Sequence, residues 1–321
     1  MASTTKIMTG LIICSQPDLS REIEVKSSML RVEGTSAGLC AGDRISLYDL
    51  CCGLMLESGN DAANCAAYAI SGSIPKFAAL MNQTAKKIGM KNTNFVTPSG
   101  LDDEKHYTTA LDMAYLAAAA MKNPTFKEIV GKKSHRATYN GGDTLRTYYN
   151  HNRLLRSLDG CIGIKTGFTK KSGRCLVSAC ERNGAMLIMV TLNAPDDWND
   201  HITAYNSAFS DMKTLRADNA DLEYEIPVYS GDKSKIKVRS EAFECSVPSS
   251  SKAELSVRIR LPAFLYASVE NGDIVGYADY YIGDEKIAEL PFTATEKSDI
   301  IEIRRSFAGE LLKSLLRILM Q

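Results

Sequence analysis

The sequence lacks a net charge and any long hydrophobic run. Its 321 residues include 38 Lys and Arg and 38 Asp and Glu, so no overall electrostatic field attracts nucleic acid. No run of 18 apolar residues occurs, so no segment is long enough to cross a bilayer as a helix. These two absences argue against a nucleic-acid-binding protein and against a helical integral membrane protein.

The sequence also lacks the short cysteine and histidine spacings that hold metals. None of its nine cysteines forms a Cys-x-x-Cys pair, so a structural zinc site is not predicted. Cys14, Cys51 and Cys52 lie inside apolar runs, which is typical of buried free thiols, and the odd count argues against a fully paired disulfide framework. The four histidines are scattered, which favours structural over catalytic roles.

One serine and one lysine near the start of the chain suggest covalent chemistry. Ser3 and Lys6 lie three residues apart, on one face of a predicted helix over residues 3–13. A serine hydroxyl needs a base within hydrogen-bond distance, and a lysine amine can be that base only where its surroundings lower its pKa. Six serines in the chain have a lysine three residues later, so this spacing alone is weak support.

Two further motifs follow in order and raise the significance of the first. Ser58-Gly59-Asn60 is the only Ser-x-Asn in the chain, and Lys165-Thr166-Gly167 is the only Lys-Thr-Gly. The three motifs in this order are typical of serine acyl-transferases that act on penicillin and cell-wall peptides. The residues around them, 2–9, 57–63 and 163–169, resemble the low-molecular-weight penicillin-binding proteins, the D-alanyl-D-alanine carboxypeptidases. This resemblance extends from residue 2 to the C-terminus.

The resemblance implies a set of catalytic residues. Ser3 is expected to be the nucleophile, and Lys6 to be its base. Ser58 is expected to relay a proton to the departing D-alanine, while Asn60 holds the substrate amide and the Lys6 amine.

The resemblance also implies how the substrate binds. Lys165 and Thr166 are expected to bind the terminal carboxylate, and Gly167 to let the peptide backbone lie close. The backbone N–H groups of Ser3 and Phe168 are expected to form the oxyanion hole. The implied partners are a peptidoglycan stem peptide ending in D-Ala-D-Ala and, as covalent inhibitors, β-lactam antibiotics. The mechanism requires neither a metal nor an organic cofactor.

Periodicity predicts an α+β fold of the β-lactamase/transpeptidase type, an antiparallel sheet with helices. Helical spacing is found at 3–13 and again from residue 46 to about 121, with a break expected at Gly59, while residues 15–45 are predicted as surface strand and loop. Strands at 174–180 and 185–190 flank Asn183-Gly184, a strong hairpin signal. With Lys165-Thr166-Gly167 on the neighbouring strand, they predict a three-stranded antiparallel unit covered by a helix over 197–215.

The domain organisation is predicted from changes in these patterns. Residues 1–217 are expected to form the catalytic domain, and 218–304, where polar and apolar residues alternate, a small all-β domain. Residues 305–321 repeat apolar positions every three to four residues beside basic ones, which predicts an amphipathic helix. The pattern alone fits either a membrane surface or a protein partner, and the resemblance favours the membrane.

The family pattern places an export signal and sheet strands before the first motif, whereas here Ser3 follows Met1 closely. We therefore expect a chain that lacks these N-terminal strands and works at the extracytoplasmic face of a bacterial membrane. Two alternatives remain at this stage. One is a class A β-lactamase, and the other is a catalytically inactive, truncated homologue that binds or organises the cell wall.

Overall fold

The computed structural model describes residues 1–217 and 222–301. The chain divides into one compact unit of Met1–Asp211 and a second unit that begins at Met212. The predicted domain boundaries at 217/218 and 304/305 adjoin or lie among residues outside the described part, and they stay predictions. The predicted amphipathic helix over 305–321 also lies outside the described residues.

The first unit is built around α1, a helix whose residues are all buried. Uniform burial explains why this segment is apolar except for one lysine and one threonine. The helices of this unit are α1 (Lys6–Cys14), α2 (Leu47–Leu56), α3 (Asn60–Ser71), α4 (Ile74–Ile88), α5 (Ala110–Met121), α6 (Pro124–Gly131), α7 (Leu154–Ser157) and α8 (Asp197–Ser210). A 3-10 turn, Ala2–Thr5, leads directly into α1, and a second one spans Asn140–Gly142.

The strands of the first unit form two antiparallel sheets. They are β1 (Glu22–Glu24), β2 (Arg44–Ser46), β3 (Ser134–Tyr139), β4 (Thr144–Tyr149), β5 (Cys161–Thr169), β6 (Gly173–Arg182) and β7 (Ala185–Thr191). The sheet β5-β6-β7 is the predicted three-stranded unit, joined by a hairpin in which Asn183 and Gly184 have φ values of 50° and 75°. β5 lies at its edge, so its outer side is free of a strand partner within this sheet. Lys165-Thr166-Gly167 therefore lies on an edge strand.

The described part of the second unit consists of strands. They are β8 (Met212–Arg216), β9 (Glu223–Tyr229), β10 (Lys235–Arg239), β11 (Glu244–Pro248), β12 (Leu255–Arg260), β13 (Leu265–Tyr266), β14 (Ile274–Ile282) and β15 (Glu285–Ala294). Six of them form a sheet in the order β12-β14-β15-β10-β9-β13, and β8 pairs with β11. The all-β prediction is confirmed for these residues, with a core that includes Ile236, Val238 and Phe292.

Two sequence predictions about local structure have different outcomes. The helix predicted over 197–215 is wrong at its end, because α8 stops at Ser210 and β8 pairs with β11 through Leu215 and Cys245. Most cysteines are buried, as predicted, namely Cys14, Cys51, Cys52, Cys65, Cys175 and Cys180. Within the described part of the chain, no helix combines the length and the apolar character that a bilayer crossing requires.

Candidate active site

The structure brings the Ser3 hydroxyl and the Lys6 amine together. Ser3 lies in the 3-10 turn and Lys6 is the first residue of α1. The Lys6 Nζ atom lies 2.9 Å from Ser3 Oγ, within hydrogen-bond distance. Because the two residues belong to one continuous helical segment with a buried face, their separation is set by rigid backbone.

Two carbonyl oxygens complete the surroundings of the Lys6 amine. Nζ donates to Asn60 Oδ1 at 2.7 Å and to the backbone oxygen of Ser99 at 2.8 Å. The Asn60 amide is oriented by its own Nδ2, which donates to the Glu33 carbonyl at 2.7 Å. A neutral amine has two N–H groups and one lone pair, so it can donate to both carbonyls and accept the Ser3 proton. Ser99 was not predicted from the sequence.

The electrostatics of the site favour a neutral Lys6. Burial lowers the pKa of Lys6 well below its ordinary value, the positive charge of Lys165 lowers it further, and Asp61 opposes both. Burial also lowers the pKa of Lys165 to about 7, against an opposing effect of Glu57. The structure thus places an amine of lowered pKa within hydrogen-bond distance of the Ser3 hydroxyl.

The Ser58-Gly59-Asn60 motif lies at the break between two helices. α2 ends at Leu56 and α3 begins at Asn60, so the predicted break at Gly59 is confirmed. Ser58 has a φ of 62°, in the left-handed region that costs a non-glycine residue about 1 kcal/mol or more. A Cβ atom on Gly59 would lie 2.7 Å from the Ala37 Cβ atom, so only glycine fits against this loop.

Asp61 fixes the loop that covers this break. Its carboxylate accepts hydrogen bonds from the backbone N–H groups of Ala37 at 2.8 Å and Leu39 at 3.0 Å, and from the Ser36 hydroxyl at 2.6 Å. The Asn60 N–H donates to the Thr35 carbonyl at 2.7 Å in the same loop. Asp61 was not predicted as a site residue from the sequence, although it follows the Ser-x-Asn motif directly.

We expect Asp61→Asn to destabilise the protein by about 2–4 kcal/mol, because an amide cannot accept all of these bonds and leaves buried donors unpaired. Denaturant unfolding would measure the loss, with exposed Asp103→Asn as the matched control. The Asn60 position depends on the same loop, so the contact between Asn60 and the Lys6 amine is expected to be disturbed as well. Equal stability of the two variants would contradict the clamping role of Asp61.

The Lys-Thr-Gly strand runs beside Ser3. A Cβ atom on Gly167 would lie 3.1 Å from Ser3 N and 3.0 Å from Thr4 N, so the absence of a side chain permits this close approach. Lys165 is buried, whereas the side chain of Phe168 is 66% exposed. β5 therefore brings its backbone close to Ser3 and Thr4, and Thr166 lines the same cavity as Ser3.

A cavity of about 350 Å³ opens over these residues. It is lined by residues from all three motifs, Ser3, Ser58, Thr166, Gly167 and Phe168. Asn60 and Lys165 lie beneath this lining, buried. A larger cavity, of about 960 Å³, lies in the second unit and is lined by Arg239, Ser240 and neighbouring residues, none of them from the three motifs. We place the site at the smaller cavity because the polar groups converge there.

Other lining residues were not predicted from the sequence. Arg174 lines the cavity beside Asp197 and Trp198. Its Nη2 and Nε atoms donate to Asp197 Oδ1 at 2.7 and 3.0 Å, and its guanidinium lies 5.6 Å from the Trp198 ring centre. His151 also lines the cavity, with Nε2 3.4 Å from Glu57 Oε2. No spacing in the sequence links these residues to the three motifs.

A serine hydroxyl that lines a cavity, a buried lysine amine of lowered pKa beside it and an edge strand alongside are typical of a serine enzyme of the acyl-transfer class. Comparison with known proteins makes this assignment more specific. A family model described as D-alanyl-D-alanine carboxypeptidase matches residues 1–196, and one described as penicillin-binding protein 5, C-terminal domain, matches residues 209–299. The chain belongs to the D-alanyl-D-alanine carboxypeptidase family.

Individual relatives agree with the family match. The chain is 32% identical to the D-alanyl-D-alanine carboxypeptidase DacC of Escherichia coli over 92% of its own length and 77% of that protein's. It is 32% identical to DacF of Bacillus subtilis over 66% of its length, and it spans 57% of the length of DacF. The crystal structure of DacD from Francisella tularensis matches 94% of this chain and 88% of that one, with 28% identity and a TM-score of 0.63.

Proposed function

We propose that this protein is a serine D-alanyl-D-alanine carboxypeptidase that removes the terminal D-alanine from peptidoglycan stem peptides through an ester on Ser3. The observation that carries the proposal is the contact of 2.9 Å between Lys6 Nζ and Ser3 Oγ, in a chain that belongs to this family. The cavity over Ser3 supplies room for a peptide end.

In the acylation step, Ser3 Oγ attacks the carbonyl carbon of the penultimate D-alanine and its proton passes to the Lys6 amine. The backbone N–H groups of Ser3 and Phe168 stabilise the oxyanion. The C–N bond then breaks, and a proton passes from Lys6 through Ser58 to the nitrogen of the departing D-alanine. Asn60 holds the Lys6 amine in line during both transfers.

In the deacylation step, water attacks the ester carbonyl as Lys6 takes one of its protons. The C–O bond to Ser3 breaks, Ser3 Oγ regains a proton, and the shortened peptide leaves as a carboxylic acid. The same cycle halts at the ester when the acyl group is a penicillin, whose leaving group stays attached. β-Lactams are therefore proposed as covalent inhibitors.

The free carboxylate of the substrate requires positive charge near the departing residue. Lys165 and Thr166 supply a cation and a hydroxyl on β5, and we assign the carboxylate to them. Arg174, on the neighbouring strand β6, and Arg153 add two guanidinium charges to the cavity wall. Because Asp197 pairs with Arg174 and Arg153 is exposed, the buried Lys165 is the cation that gains most from a carboxylate partner.

We also propose that the protein works at the extracytoplasmic face of the bacterial cytoplasmic membrane, attached peripherally through residues 305–321. The support is the apolar repeat of that segment beside Lys313, Arg317, Arg304 and Arg305. The match of the second unit to the penicillin-binding protein 5 C-terminal domain does not favour a class A β-lactamase. The intact serine–lysine contact does not favour an inactive remnant.

The test is to incubate the full chain with a soluble peptide ending in D-Ala-D-Ala and, separately, with benzylpenicillin. We expect release of D-alanine, and a stable penicillin adduct that peptide mapping places on Ser3 and that Ser3→Ala does not form. Rapid turnover of penicillin without an adduct would instead indicate a β-lactamase. Folded protein that gives neither D-alanine nor an adduct would support the inactive homologue.

A further inference from the structure

Three aromatic side chains form an exposed cluster at one end of the second unit. Tyr229, Phe264 and Tyr266 are 57%, 42% and 68% exposed. The ring centre of Phe264 lies 5.1 Å from that of Tyr229 and 5.4 Å from that of Tyr266. We call these three residues the aromatic cluster. Contiguous exposed apolar surface of this kind marks an interaction site more often than scattered single residues do.

The backbone holds the aromatic cluster in place. Tyr229 ends β9 and Tyr266 lies on β13, an edge strand that pairs in parallel with β9. The Ala267 N–H donates to the Tyr229 carbonyl at 3.0 Å. Because Tyr229 and Tyr266 lie on paired strands and Phe264 packs against both rings, contact with a partner costs little conformational entropy.

The chain leaves the described part of the second unit beside this cluster. The Ile301 N–H donates to the carbonyl of Ser230 at 2.9 Å, next to Tyr229, and Ile300 bridges to Gly231. Ile300 and Ile301 are themselves 59% and 51% exposed. Residue 302 begins the last 20 residues of the sequence, which include the predicted amphipathic segment.

Charges around the cluster identify the kind of partner. Lys233 pairs with Glu296 at 2.7 Å, and Lys297 pairs with Asp299 at 3.0 Å. These cations are therefore compensated, and attraction to an anionic surface is not what the cluster offers. Tyr229 and Tyr266 combine an apolar ring with a phenolic hydroxyl, which fits the boundary between lipid headgroups and acyl chains, and Phe264 adds a wholly apolar ring.

We propose that the aromatic cluster is a second membrane contact, which enters the bilayer interface beside the C-terminal segment. The inference rests on the membrane attachment proposed above. The inference goes beyond that attachment, because it assigns part of the membrane affinity to the folded β domain and not only to residues 305–321. The two contacts are joined by a few residues, so binding of one raises the effective concentration of the other at the surface.

The first experiment measures sedimentation of the full chain with phosphatidylcholine vesicles, with and without phosphatidylglycerol. We compare wild type with Tyr229→Ser/Phe264→Ser/Tyr266→Ser, and use Tyr107→Ser as a control because Tyr107 is similarly exposed, at 54%, in the first unit. The triple variant is expected to bind both kinds of vesicle about 10- to 100-fold more weakly, because its loss is one of apolar contact. The control is expected to bind as wild type does.

A third variant, Leu312→Glu/Leu316→Glu in the full chain, separates the two proposals. If wild type binds no vesicles, the attachment through residues 305–321 fails and this inference fails with it. If the Glu variant loses binding while the triple variant matches wild type, the inference alone is overturned. D-alanine release from a soluble peptide is expected to stay unchanged in the triple variant, which shows that the chain is folded.

A depth measurement tests the contact directly. Tyr266→Trp is expected to be quenched by brominated lipids, above the background of the single native Trp198, while Tyr107→Trp is not. An unquenched Trp at position 266 on bound protein would overturn the proposal. A second result would also overturn the proposal. If the triple variant binds vesicles as wild type does but loses binding to isolated peptidoglycan, the aromatic cluster binds glycan and not the membrane.

Discussion

Lys6→Arg is expected to fold poorly or to lose penicillin acylation by about 10²–10⁴-fold, because a guanidinium stays protonated and cannot accept the Ser3 proton. The structure makes this substitution informative, because Lys6 is buried and its amine lies within hydrogen-bond distance of Ser3 Oγ, Asn60 Oδ1 and the Ser99 carbonyl. Arginine keeps the positive charge and the hydrogen-bond donors but not the basic lone pair. The acylation rate, followed by intact mass, measures the effect.

Lys6→Met provides the second variant, because it has a similar length and removes the cost of burying an amine. In this variant the carbonyl oxygens of Asn60 and Ser99 lose the amine as their hydrogen-bond donor. Each loss costs about 1–3 kcal/mol of stability, which the gain in apolar burial partly offsets. We expect it to fold and to be acylated as slowly as the arginine variant. Lys122→Arg, at an exposed lysine, is the control. A folded Lys6 variant acylated within about tenfold of wild type would contradict the assigned base.

The pH dependence of acylation follows from the same amine. Because burial and Lys165 lower the pKa of Lys6, its neutral form persists toward lower pH than for an ordinary lysine. The acylation rate is expected to rise with pH as Lys6 loses its proton, and to level off once it is neutral. In both Lys6 variants this rise should be absent, which separates a lost base from a general loss of fold.

The sequence was most informative where local rules decide the structure. Gly59 breaks a helical pattern, and the structure starts a new helix at Asn60. Asn183-Gly184 predicts a tight hairpin, and β6 and β7 meet there. Both outcomes depend on the conformational preferences of one or two residues, so neighbouring sequence is sufficient to predict them.

The sequence was least informative where distant segments meet. The backbone carbonyl of Ser99 contacts Lys6 across 93 positions, and a carbonyl group has no side-chain signal. Asp61 was missed because its partners, Ala37 and Leu39, present only backbone N–H groups. The end of α8 was misplaced because the pairing of β8 with β11 is a long-range contact that local periodicity does not encode.

Lys165→Met is expected to remove the preference for a free terminal carboxylate. For wild type, kcat/KM should be about 10²–10³-fold higher for a peptide ending in D-Ala-D-Ala than for the same peptide with a C-terminal amide. A difference of this size is expected because the buried Lys165 and the substrate carboxylate form a desolvated charge pair. Lys165→Met should lose most of its activity on the peptide with a free C-terminal carboxylate and little of its activity on the peptide with a C-terminal amide. The ratio of the two kcat/KM values is the measurement, and exposed Lys170→Met is the control.

This ratio distinguishes recognition from a structural role, because a distorted site would slow both peptides equally. Lys165 also acts on the base, since its positive charge lowers the pKa of Lys6. Removing that charge raises the pKa of Lys6, so the pH at which penicillin acylation reaches half its maximum should move upward in Lys165→Met. An unchanged acid-to-amide ratio would assign the carboxylate to another cation, and Arg153 and Arg174 both line the cavity. An unchanged pH profile would show that Lys165 does not set the basicity of Lys6.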